Sequence, residues 1–141
     1  MNLDGGEIRY NANIIVTSNT IALMPIIDAL RLTPKIAWST GDKISDSINA
    51  GGRRQFNYCL FNITAGSWRD IEYDLEKYLH QLRPHKDYID KVQLDGGAVL
   101  LVVNWYAGHS RAYEFGFDFL EQLADLHIDL GIDIPDDDIS V

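Results

Sequence analysis

The chain has 141 residues, 46% of them apolar and 11% aromatic, with a net charge of -9. That is the length of one domain with ample material for a packed core, and no apolar run approaches the roughly 18 residues a membrane span needs. The charge is uneven: from Ala112 onward nine acids meet no Lys or Arg, whereas residues 1–111 hold twelve of each sign, so a surface built to neutralise nucleic-acid phosphates is disfavoured.

The opening MNLDGGEIRY lacks a basic start followed by an apolar stretch. No signal peptide is therefore expected, and the cytoplasm is the expected location. In residues 7–17, Ile8, Tyr10, Ala12, Ile14 and Val16 recur at the period of a half-buried strand. A short helix fits Pro25 to Arg31, with the proline in its first turn and Ile26, Ile27 and Leu30 inward. Residues 33–52, rich in Thr, Ser, Gly, Asp and Asn, are expected to be an irregular connection, long enough to be functional or mobile. Residues 54–64 read as a second strand, in which the lone Cys59 is a small core residue.

Ser67 and Asp70 are spaced to cap each other's backbone N–H groups at a helix start. The stripe Ile71, Leu75, Tyr78, Leu79, Leu82 continues that helix up to Pro84. A further helical turn over 86–92 and a turn at Asp95-Gly96-Gly97 lead into AVLLVVNWY, apolar on both faces and so a central strand. Residues 107–110 suit a hairpin link into RAYEFGF. A helix over 118–126 is expected to bury Leu120, Leu123 and Ala124 and to present Asp118, Glu121 and Asp125. A last strand would bury Leu130, Ile132 and Ile134 and expose Asp129 and Asp133. This order predicts a single α+β domain over 1–141: a mixed, mainly antiparallel sheet of about five strands with helices packed on it.

Within LRLTPKIAWSTGDKI, Gly41 frees the backbone for a turn that Asp42 closes by accepting a nearby N–H. Leu30, Leu32, Pro34, Trp38, Gly41 and Asp42 resemble the Leu-x-Leu-x-Pro and Trp-x-x-Gly-Asp signature of a bacterial domain-of-unknown-function family. HQLRP and the ending LADLHIDLGIDIPDDD are similar to later parts of the same pattern, apart from DIPDDD where an Asp-Ile-Tyr-like finish is usual. The resemblance implies a small α+β domain and no established reaction.

Tests for chemistry come out negative. DGGEI, NAGGRR and DGGAV lack the glycine spacing that cradles a phosphate. His80, His85, His109 and His127 form no metal-ligand pair on one helix, and one cysteine does not make a structural zinc site. Ser110 and His109 are adjacent on an expected hairpin and point apart. Asp133, Asp136, Asp137 and Asp138 do not follow the alternate-ligand spacing of a calcium loop. Trp68, Tyr73, Tyr78, Trp105 and Tyr106 read as mostly inward.

The leading expectation is a non-enzymatic immunity protein without cofactor or metal, neutralising a cognate basic toxin domain, such as a nuclease, by charge complementarity. Its contact surface would be Asp118, Glu121, Asp125, Asp129, Asp133, Asp136 and Asp137. The alternative is a small-ligand or enzyme domain using the 33–52 loop, with Trp38, Asp42, Arg53 and Arg54 at its mouth and Lys43 nearby. A structural module with a weak partner is the third reading. Neither nucleic acid nor membrane is an expected partner, and oligomeric state is left open.

Overall fold

The computed structural model of the chain describes residues 9–44, 52–106 and 113–134. Alternation is realised in β1 (Arg9–Ser18), which buries Tyr10, Ala12, Ile14, Val16 and Ser18 and turns Asn11, Asn13, Ile15 and Thr17 the other way. The following α1 (Met24–Leu30) carries Pro25 in its first turn and buries Ile26 and Leu30. It ends at Arg31 in the left-handed conformation, φ 56°.

The stretch expected to be irregular contains a strand. β2 (Ile36–Trp38) pairs antiparallel with β3 (Asn57–Ser67), and a bridge between Lys43 and Arg53 prolongs the hairpin beyond it. Residues 45–51, which include part of the NAGGRR turn, lie outside the described residues. Opposite β1, β3 carries one extra residue at the step from Ala12 to Asn13, whose partners are Thr64 and Asn62. Such a bulge leaves backbone groups without a ladder partner. Here the Tyr78 hydroxyl donates to the freed Ile63 carbonyl at 2.6 Å.

A 3-10 turn, Trp68–Asp70, leads into α2 (Ile71–Leu82), and Ser67 Oγ accepts the Arg69 N–H at 3.3 Å. The reciprocal bond expected from Asp70 is not made. The predicted stripe is buried in full: Ile71, Leu75, Tyr78, Leu79 and Leu82. A second 3-10 turn, Arg83–His85, holds Pro84 and passes into α3 (Lys86–Leu94), then β4 (Ala98–Tyr106), α4 (Phe117–Asp125) and β5 (Ile128–Asp133).

The sheet order is β2-β3-β1-β4-β5, antiparallel except for the parallel β4–β5 pair. It is an open, mixed α+β sheet with the helices against one face, where α2 meets β3, α3 meets β1 and β4, and α4 meets β5. Three expectations fail for one reason, the placement of β5. Both edges of β4 are taken, by β1 and β5, so Tyr113–Gly116 is unpaired loop rather than the second arm of a hairpin; residues 107–112 lie outside the described residues. To reach a parallel neighbour the chain must cross over, and α4 does so with Phe119 and Leu123 inward and Leu120 and Ala124 exposed. At the edge, β5 buries Ile128, while Ile132 and Ile134 run out to 48% and 70% exposure.

Candidate functional site

The first candidate region is the Trp38 corner. Ser39 to Asp42 form a turn in which the Asp42 N–H donates to Ser39 O at 3.0 Å and the Ser39 N–H donates to Asp42 Oδ2 at 2.8 Å. Gly41 sits third in that turn at φ 94°, a conformation that favours glycine. The turn is pinned to the sheet on two sides: Thr40 N–H donates to Asn57 Oδ1 at 2.8 Å, and Arg54 N–H donates to Asp42 O at 2.8 Å. Trp38 stacks on Tyr58 with centroids 4.3 Å apart, and the Arg54 guanidinium lies 3.7 Å from the Trp38 ring centroid. Of the four residues expected to line a ligand loop, Trp38, Asp42 and Arg54 thus build the hairpin, while Arg53 donates to Gly41 O at 3.4 Å. A hollow of about 550 Å³ lies beside them, bordered by Leu23, Met24, Ile27, Trp38 and Asp42. Trp38 Nε1 and Arg54 Nε are buried without a partner among the described residues.

Next comes the acidic C-terminal region, which the fold divides. Asp118 and Glu121 are exposed on α4, in the helical layer. Asp125 is neutralised, with Arg83 and Lys86 each 3.1 Å from its carboxylate. The hydrogen bonds from Lys86 and then Arg83 hold its pKa below the usual carboxylate range. Asp129 and Asp133 pair in register with Leu100 and Asn104 and so share the helix-free face of the sheet. Asp136 and Asp137 lie outside the described residues.

That helix-free face is a region the motif search missed. Its rows run straight across the strands, one of them Ile36, Leu60, Ile15, Leu100 and Asp129. Beside this aliphatic band a polar ladder crosses three strands. Asn13 Nδ2 donates to Asn62 Oδ1 at 2.6 Å, and Asn104 Nδ2 donates to Asn13 Oδ1 at 2.9 Å and to Asn11 Oδ1 at 2.6 Å. Asn11 Nδ2 continues it to the Tyr106 hydroxyl at 3.1 Å. A shallow groove of about 700 Å³ lies over the ladder, with Lys35 and Ile36 on its β2 side. The signal the sequence holds is Asn11 and Asn13 at alternate positions on the side of β1 away from the core.

Other polar groups serve the scaffold. Asp95 accepts from the Asn19 N–H at 2.7 Å and from the Thr20 N–H and hydroxyl at 2.8 Å each. The Thr20 bonds above all lower its pKa. Burial raises the Cys59 thiol pKa, which suppresses the reactive thiolate. Tyr78 and Trp105 are buried as expected, whereas Tyr73 and Tyr106 are exposed. His80 and His127 are exposed, His85 is half-buried and His109 lies outside the described residues. Among the described residues, no three His, Cys, Asp or Glu side chains converge as a metal site would require, and no helix is long and apolar enough to cross a membrane.

The comparisons with known proteins bear on the chain as a whole. A family model described as a domain of unknown function (DUF4279) matches residues 8–137. The chain belongs to that family. Neither a curated protein nor a solved structure matches it. Within this member of the family, the Trp-x-x-Gly-Asp residues are accounted for by the turn they close.

Proposed function

We propose that the chain is a non-enzymatic protein-binding module, an immunity protein that neutralises a cognate toxin by covering a basic surface on it. The observation that carries this reading is the run of nine acids without a basic residue after Ala112. On this reading the contact lies on the outer side of α4, supported by Asp118 and Glu121, which are exposed and enter no ion pair among the described residues. Asp125 contributes less, because Arg83 and Lys86 already satisfy it. Acids arrayed on one helix suit a partner that arrives by electrostatic steering and leaves as salt is raised.

The test is capture by the tagged chain from its source cells, at low and high salt, beside a variant carrying Asp118→Asn and Glu121→Gln. A basic protein held by the wild type, released by salt and missed by the variant supports the reading. Equal retention by both removes α4 from the interface. A second reading is a small-ligand site in the hollow beside Trp38, where apolar Leu23, Met24 and Ile27 face the carboxylate-bearing Asp42. It predicts heat stabilisation by a ligand in a metabolite screen and loss of that shift in Trp38→Ala.

A further inference from the structure

We propose that the helix-free face of the sheet is the interface of a homodimer, in which two copies pack face to face about a twofold axis running along β1. No helix covers this face among the described residues, and its middle is uncharged. The aliphatic row Ile36, Leu60, Ile15 and Leu100 spans four strands, with the Asn ladder beside it. A twofold interface sets each patch against itself or its mirror position. Like charges fail that requirement, whereas aliphatic groups meet it. So do amides, each carrying both donors and an acceptor. Asn62, at the exposed end of the ladder, accepts from Asn13 and makes no donation of its own among the described residues.

The charges stand at the margins, and their signs are opposed. Lys35 and Arg54 lie on the β2 side and Asp129 and Asp133 on the β5 side, with Arg9 at the end of β1. Rotation about an axis along the central strand exchanges the two sides of the sheet. Ile15 then meets its own copy, Leu60 meets Leu100 of the second copy, and Asp129 comes over Ile36 and the adjoining Lys35. Asp129 of each copy therefore covers the Lys35 corner of the other, while Arg54 and Asp133, at opposite ends of their margins, stay clear of that contact. A basic foreign protein would find acids along one edge only, and an acidic one would find bases along the other. A second copy of this chain fits both edges at once.

The size of the face sets the strength. Five strands about 4.8 Å apart, from three residues in β2 to eleven in β3 at about 3.3 Å each, give on the order of 600 Å² per copy. This sits at the low end of stable interfaces, which bury about 800 Å² per partner. An interface of this size belongs to the weak or transient class, so the association is to be sought at micromolar concentrations and above.

Sedimentation velocity on the full chain across that range is the test. The expected result is a concentration-dependent shift from one chain mass to two, abolished by Ile15→Asp. Lys35→Glu and Asp129→Lys should each weaken the dimer about tenfold, and the double variant Lys35→Glu/Asp129→Lys should restore it, since the two reversals recreate the pair. That restoration separates a contact across the interface from a folding defect, and circular dichroism on each variant checks that the fold persists. A single-chain mass throughout, a dimer that survives Ile15→Asp, or no restoration in the double variant would overturn the proposal. The α4 acids lie in the other layer, so the dimer and the toxin contact stand or fall separately.

Discussion

Gly97 shows how tightly single residues constrain this fold. A Cβ there would lie 2.0 Å from Thr17 O, a backbone atom in the central strand that has no slack to retreat. Gly97→Ala should therefore cost on the order of 3 kcal/mol through forced backbone displacement, read as a fall in Tm of about 10 °C. Cys59 makes the opposite point, since its burial keeps the thiol protonated and out of reach. Thiol reagents should label it only as fast as the protein unfolds, and denaturant should raise the labelling rate by orders of magnitude. Instantaneous labelling of the native protein would contradict its place in the core. The sequence made Cys59 legible because strand-forming apolar residues surround it. It left Gly97 opaque, because the approach of β1 comes from residues 80 positions away.

At the scale of elements, the 39–42 turn is the feature on which β2 depends. Three residues make a weak strand, held by β3 on one side and by the Asp42 cap at its end. Asp42→Ala removes the acceptor of the Ser39 N–H and should cost about 1 kcal/mol. Hydrogen exchange should quicken by roughly fivefold over residues 36–44 while α2 stays protected, marking a local rather than a global opening. Long periodic segments such as β1 and α2 were readable, since their buried sets follow one period throughout. β2 was not, because pairing with β3 rather than any local pattern makes it a strand. The inner face of α4 was misread because Phe117, Phe119 and Leu120 are all apolar, and only the crossover to β5 decides which of them turns inward. The Asn ladder was half visible: spacing put Asn11 and Asn13 on one side of a strand, but only the register brings Asn62 and Asn104 to them.

For the molecule as a whole, stability should form a dome in pH whose two shoulders have different causes. Asp95 and Asp125 have lowered pKa values, from the Thr20 bonds and from Lys86 and Arg83 respectively. Their contribution is present above the ordinary aspartate value of about 3.9 and is lost as pH falls through the lower folded values, when the unfolded chain binds protons more readily. On the alkaline side, Tyr10 and Tyr113 are raised, first by burial and then by hydrogen bonds to Asp74 and Glu72. Both acceptors lie on α2, so these bonds join α2 to β1 and to the loop before α4. Their contribution is complete below the free tyrosine value of about 10 and is lost as pH climbs toward the folded values. Tm measured from pH 2 to pH 12 should fall at both ends, and a flat alkaline limb would show that the tyrosines do not hold the layers together. Strand order carries a further consequence, for synthesis. The central strand, ending at Ser18, leaves the ribosome well before its neighbours, which begin only at Asn57 and Ala98. The nascent chain must carry an unpaired, apolar β1 until Asn57–Ser67 has emerged, and one open edge of it until Ala98–Tyr106 follows, and during that interval it is most exposed to chaperones and to other nascent chains.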